Sequence, residues 1–239
     1  MTEGKAPKDT LFAGPGMDQF VFDNRVAAVF DDMAQRSIPA YRQVIDMVAR
    51  LFGHFLPPGA RVYDLGCSTG NTLLALDQAL PHLALRLTGI DTSHSMLAKA
   101  RQKSPANIVY IKADITQIDL TGCQAVVLNY MLQFLPPARR LPLLRRIHQA
   151  LDYRGILVLS EKTIIPEPDV NQAFTRFYYA FKREQGYSEI EISRKRDALE
   201  NVLVPFSQAE NETLLRQAGF RTVVPFFQWF NFVSLLAVK

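Results

Sequence analysis

Cysteine is scarce in this chain: Cys67 and Cys123 are the only two in 239 residues. Two isolated thiols make neither a disulfide framework nor the ligand spacing of a zinc site. A reducing, cytoplasmic compartment and no metal are therefore expected. Long apolar runs are missing too, with nothing near the ~18 residues of a membrane span, so no membrane partner is expected. The first twenty residues carry Pro, Gly, Lys and Asp without an apolar stretch, and do not read as a secretory signal. Histidine is sparse: His54, His82, His94 and His148 fall in predicted helices or loops, away from strand ends. No nucleophile elbow and no Ser/His/Asp order is present.

Charge of one sign hardly dominates: 27 Lys and Arg face 23 Asp and Glu, a formal net charge of +4. The densest basic cluster is Arg139, Arg140, Arg145 and Arg146, interleaved with Leu141, Leu143, Leu144 and Ile147. That spacing describes an amphipathic helix with a solvated basic face. No aromatic residues interleave to stack bases, so direct nucleic-acid binding is not required. The apolar content of 48% suffices for one sizeable core. A single domain over 1–239 is expected, with 1–16 loose and 168–205 a helical insertion.

What the chain has is alternation. Helical stripes cover 24–34 and a second stretch reaching Pro57, with Ser37 as candidate cap and Pro39 in its first turn. Short apolar strands follow at 61–65, 84–90, 108–111, 124–130 and 155–160. Between them lie helices at 72–80, around 96–101, and from about 137 to 151. Helices at 171–183, 190–203 and 209–217 come next, then two strands near 221–230 and 231–238, close enough to pair antiparallel. Alternating strands and helices imply a parallel sheet covered on both faces. The expected class is α/β: a methyltransferase-type Rossmann-like fold, its mostly parallel seven-stranded sheet ending in an antiparallel C-terminal hairpin, with helical additions.

Polar residues stand at successive strand ends, the edge where open α/β sheets bind ligands. The first strand runs into Asp64-Leu65-Gly66-Cys67-Ser68-Thr69-Gly70. Gly66 permits close backbone approach, and Asp64 is placed to orient an ammonium group. A nicotinamide fingerprint would need glycine also at 68 and 71, where Ser68 and Asn71 stand. Asp91 ends the second strand, 25 residues past Gly66, placed to accept from ribose hydroxyls. Asp114 follows the third and can accept from an adenine amino group, while the Ile115 backbone meets a ring nitrogen. Asn129 ends the fourth and can present its amide to a methionine moiety. The residues alone indicate an S-adenosylmethionine site and leave the acceptor chemistry open.

Longer stretches carry a family resemblance: DTLFAGP (9–15), FVFDNRVAAVFDDMAQRSIPAY (20–41), VYDLGCSTG (62–70), VVLNYMLQFLPP (126–137), LVLSEK (157–162), FKREQGYSEIEISRKRDALENVLVP (181–205) and WFNFVSLLAVK (229–239). Together they closely resemble the carboxy-S-adenosyl-L-methionine synthase family. The segments 20–41 and 181–205 are the specific ones, since general methyltransferases lack them. The resemblance implies that S-adenosylmethionine and prephenate give carboxy-S-adenosylmethionine and phenylpyruvate, the product serving carboxymethoxy modification of tRNA wobble uridine. It implies that Tyr41, Gly66, Cys67, Ser68, Asp91, Thr92, Asp114, Ile115 and Asn129 hold the cofactor. It further implies that Arg196 grips the added carboxylate, from the neighbouring subunit of a homodimer in one arrangement. No protein base is implied: hydroxide lost from prephenate takes a proton from the sulfonium methyl, and the ylide captures carbon dioxide. A cation beside a sulfonium repels plain S-adenosylmethionine, by roughly 3 kcal/mol at ~6 Å and an effective dielectric near 20, whereas a carboxylate on the methyl carbon reverses the sign. The family's usual Asn-Pro-Gly-Gly turn is replaced here by Asp152-Tyr153-Arg154-Gly155, and Thr92 stands where Asn is common. The competing readings are an ordinary S-adenosylmethionine-dependent methyltransferase acting on a small molecule or RNA, and a non-enzymatic cofactor-binding partner.

Overall fold

The computed structural model describes residues 7–14, 19–120 and 122–239. Helices α1 (Asn24–Ser37) and α2 (Tyr41–Phe55) precede an alternating core of β1 (Arg61–Leu65), α3 (Asn71–Ala79), β2 (Arg86–Asp91), α4 (His94–Lys103), β3 (Val109–Lys112), β4 (Cys123–Asn129), α5 (Pro137–Ala150) and β5 (Leu151–Lys162). Then come α6 (Pro168–Glu184), α7 (Glu189–Ala198), α8 (Gln208–Ala218), β6 (Thr222–Trp229) and β7 (Phe232–Val238). The seven strands order as β3-β2-β1-β4-β5-β7-β6, with β7 antiparallel to both neighbours. This is the expected Rossmann-like sheet with its antiparallel hairpin.

Strand periodicity divides the core into two layers. Val62, Leu87, Ala125, Val127, Ile156, Val158 and Leu236 point to one face, where Phe52 of α2, Leu73 and Leu76 of α3 and Leu97 of α4 cover them. Val126, Leu128, Leu157, Leu159, Leu235 and Ala237 point to the other, beneath Leu143, Leu144 and Ile147 of α5 and Leu215 of α8. Adjacent strand residues face opposite sides of the sheet, so nearly continuous apolar runs serve both layers. Among the described residues, no helix is long and apolar enough to cross a membrane.

Several boundaries differ from expectation. Ser37 closes α1 instead of capping α2, and Ala40, in the left-handed region at φ 54°, leads into Tyr41. Strand β5 begins at Leu151: a bulge between Cys123 and Ala125 and a left-handed Arg154 absorb what reads as a turn. Helix α7 stops at Ala198, short of 203; just beyond, Asn201 takes a left-handed φ of 61° and Leu203 folds back onto Leu199.

Looseness was expected over 1–16, but residues 7–14 are packed; 1–6, 15 and 16 lie outside the described residues. Asp9 and Phe12 are buried. The Asp9 amide donates to Asp32 at 2.7 Å, and Tyr187 Oη donates to the Asp9 carboxylate at 2.6 Å. Arg194 donates to the carbonyls of Phe12 and Ala13 at 3.2 and 2.8 Å.

Candidate active site at the carboxyl edge of the sheet

A cavity of about 430 Å³ opens over the carboxyl ends of the strands, within the size range of small-molecule sites. Its floor is the turn after β1. Gly66 (φ 76°) and Gly70 (φ 77°) both occupy the left-handed region, as does Ser68 at 49°. A Cβ on Gly66 would lie 2.1 Å from Met131 Cγ, so only glycine fits beneath that side chain. Braces hold the turn from behind. Asp31 of α1 accepts from Thr69 Oγ1 at 2.5 Å and Asn71 Nδ2 at 2.9 Å, and pairs with Lys103 at 2.7 Å. Asn71 also donates to Tyr41 Oη at 3.3 Å, fixing that phenol at the cavity wall.

The acids differ in how they are held. Asp91 accepts from the Ser68 and Ser93 amides at 2.9 and 2.8 Å, which clamps its carboxylate toward the cavity. Burial nevertheless pushes its carboxyl above the usual range, against those amide bonds. Asp64 is almost fully buried and receives no hydrogen bond among the described residues. Burial, then the neighbouring Asp91 charge, pushes its carboxyl up to about 7. Asp114 is more open; Thr116 donates to it at 2.8 Å from both its amide and its hydroxyl, Arg139 pairs at 3.1 Å, and these hold its pKa low. Asn129 donates weakly to Thr72 at 3.5 Å, and its buried Oδ1 has no protein partner. Two closely placed acids and an unsatisfied amide carbonyl suit a cationic, hydroxyl-bearing, amine-bearing ligand such as S-adenosylmethionine.

Ten of the eleven sequence-predicted site residues line this one cavity: Tyr41, Asp64, Gly66, Cys67, Ser68, Asp91, Thr92, Asp114, Ile115 and Asn129. The eleventh, Arg196, does not. Its side chain is 58% exposed on α7, where it pairs with Asp197 at 2.8 Å and donates to Ser193 at 3.2 Å. Within one chain it reaches no cavity residue among the described residues, because the α7 face that turns inward carries its neighbour Lys195.

Sequence reasoning missed that lysine and two more. Lys162, Lys182 and Lys195 all line the cavity, at the end of β5 and on the inner faces of α6 and α7. Lys195 donates to Ser37 Oγ at 2.9 Å and lies 3.5 Å from the Asp9 carboxylate. Burial lowers its pKa to about 8, the Asp9 charge opposing. Lys162 and Lys182 have no carboxylate partner among the described residues; their ammonium groups sit 4.9 and 4.7 Å from the Tyr178 ring centroid. Burial lowers both, and Lys182 falls furthest because Lys195 and Lys162 add their charges. One signal was available: Lys182 follows Tyr178 by four residues, on the same helical face.

A strand-order 3-2-1-4-5-7-6 sheet with acids at successive strand ends around a glycine turn defines the class of S-adenosylmethionine-dependent methyltransferase-fold enzymes. Residues 62–155 match the family described as a methyltransferase domain. Magnesium protoporphyrin IX methyltransferase from Synechocystis, solved with S-adenosylhomocysteine bound, superposes with a TM-score of 0.60 at 19% identity, covering 96% of this chain and 91% of that one. The relatives are more specific. A carboxy-S-adenosyl-L-methionine synthase from Desulfotalea psychrophila is 47% identical, covering 97% of each chain, and one from Methylococcus capsulatus is 46% identical, covering 93% and 95%. The chain belongs to the carboxy-S-adenosyl-L-methionine synthase family.

Proposed function

We propose that this protein makes carboxy-S-adenosyl-L-methionine from S-adenosyl-L-methionine and prephenate, releasing phenylpyruvate, and so supplies the cofactor for carboxymethoxy modification of tRNA wobble uridine. The observation that carries the reading is the cavity itself, acidic at its glycine-turn end and lined with lysines at its helical end, in a chain matched along nearly its whole length by synthases. The chain's own residues bind and orient. Asp91 takes the ribose hydroxyls, Asp114 and the Ile115 amide take the adenine, and Tyr41, Asp64 and Asn129 face the amino-acid end. The apolar walls from Phe22, Phe134 and Leu135 exclude water. No side chain is required as a base, which suits a cavity without histidine among its lining residues.

The exposed position of Arg196 favours a homodimer in which it reaches the added carboxylate of the neighbouring subunit. Exposed Val170 and Phe177 of the insertion, with Phe174, and exposed Phe230 in the turn between β6 and β7 form an apolar patch suited to such a contact. Incubating the protein with S-adenosylmethionine and prephenate tests the reading. Carboxy-S-adenosylmethionine and phenylpyruvate should appear in equal amounts; methyl transfer to RNA without the carboxylated product would reject it. Light scattering at micromolar concentration should give twice the chain mass.

A further inference from the structure

Three lysines around one cavity, Lys182 and Lys195 buried and Lys162 half-buried, need an explanation. A buried ammonium without a counter-ion is costly, and proteins normally pair such groups or keep them in water. Lys195 meets that rule through Asp9 and Ser37. Lys162 and Lys182 do not: each faces the cavity beside the Tyr178 ring without an ion pair among the described residues, and Asp9, already paired with Lys195, acts on Lys182 only through its field. Cation–π contact softens the burial of one charge, but both ammoniums share a single ring, and they repel each other and Lys195. Tyr178 cannot turn away, since its hydroxyl is held by the Ser37 carbonyl at 2.9 Å. The wall at this end is aromatic, with Tyr130, Tyr178 and Phe232 packed together, and its polar neighbours are Ser37 and Gln133. Two unpaired cations against an aromatic wall describe a site for a particular kind of anion.

Building on the synthase reading, we propose that Lys162 and Lys182 hold the two carboxylates of the second substrate, a dianionic organic acid whose apolar ring lies against Tyr178 and Phe232, with Lys195 fixed behind them by Asp9. The cavity then has two complementary ends. The acids receive the cationic nucleoside and the lysines receive the dicarboxylate, so the two substrates meet with opposite charges facing. The pair of cations also discriminates between substrate and product: an acid that has lost one carboxylate neutralises only one lysine and leaves the other unpaired. Product release follows from that imbalance. Lys162 and Lys182 thus act in binding and specificity.

The test is calorimetric, on the full-length protein loaded with S-adenosylhomocysteine, which has no methyl group and cannot turn over. Prephenate and its monocarboxylate product phenylpyruvate are titrated separately into the native protein and into Lys162→Gln, Lys182→Gln and Lys182→Arg. Native protein should prefer prephenate. Each glutamine variant should lose roughly ten- to hundredfold in prephenate affinity and much less in phenylpyruvate affinity. Lys182→Arg should recover most of the loss, and S-adenosylhomocysteine affinity should stay within about twofold throughout. Removing an ammonium that has no ion-pair partner leaves no carboxylate unpaired and does not threaten the fold, and unchanged melting temperatures would verify this. Prephenate affinity within about twofold of native in both glutamine variants, or no prephenate binding to native protein, overturns the proposal. If prephenate binding depends on the lysines but no carboxylated product forms in turnover, the synthase reading fails while the dicarboxylate site stands.

Discussion

The two ends of the cavity are built on opposite terms. At the glycine-turn end, Asp91 is clamped by two backbone amides and Asp31 carries three bonds that brace the turn. At the helical end, Lys162 and Lys182 have no ionic partner among the described residues. The first end is preorganised by the protein; the second depends on its ligand for charge balance. Preorganised ends bind through geometry and tolerate little change in shape. Charge-deficient ends bind through electrostatics and tolerate shape changes that preserve charge.

The sharpest break between the ends should come from Gly66→Ala. The added Cβ meets Met131 at 2.1 Å on a left-handed backbone, so the turn must move. A loss of ~3 kcal/mol in stability and of measurable S-adenosylhomocysteine binding is expected from thermal melts and calorimetry. A shape change that small at the helical end should not do this.

Arg196→Ala should come next. With its positive charge removed, affinity for carboxy-S-adenosylmethionine should fall by roughly 1.5–3 kcal/mol, while S-adenosylmethionine binds equally or slightly better. Arg196→Lys should recover only part, because an ammonium cannot form the two parallel bonds of a guanidinium. Equal weakening of both ligands would make Arg196 merely structural. Arg194 is no silent control for this experiment, since it holds the 7–14 segment.

The pH dependence isolates the acidic end. Asp64 is raised to about 7 by burial and by Asp91. Between its unfolded value near 4 and 7, the ligand-free fold holds a proton that the unfolded chain lacks. That contribution to stability is present at low pH and lost as pH rises through about 7. A cationic amine prefers the carboxylate, so binding releases this proton. S-adenosylhomocysteine affinity should therefore drop as pH falls below 7, by up to about tenfold per unit. Calorimetry at pH 6 and pH 8 reads the difference, and Asp64→Asn should flatten it.

The smallest effect belongs to Arg194→Ala. It frees two carbonyls of the N-terminal segment and should lower stability by about 1–2 kcal/mol, with increased proteolytic cutting near residues 7–14 and nucleoside affinity little changed.

The same contrast governs what was legible in the sequence. Strand ends announce themselves, because a strand pattern reaches a polar residue at its last position or one before it: Asp64, Asp91 and Asn129 stand there, and all line the cavity. The lysines follow no such rule. Lys182 and Lys195 sit in helices amid other charges, and which face turns inward depends on how α6 and α7 settle over the sheet. The packing of Asp9 and Phe12 was illegible for a related reason, as their partners Tyr187 and Arg194 lie about 180 residues away. Arg196 came from the family resemblance alone, and the single chain leaves it on the outer surface. Local pattern thus revealed the end that the backbone builds and concealed the end that tertiary packing builds.

One measurement bears most directly on the cavity as a two-ended site for a carboxylated nucleoside: the mass of the nucleoside that stays bound through purification. A species heavier than S-adenosylmethionine by one carboxyl unit is expected, lost from Arg196→Ala and retained by Arg196→Lys in part. Recovery of plain S-adenosylmethionine, at equal occupancy in native protein and Arg196→Ala, would contradict it.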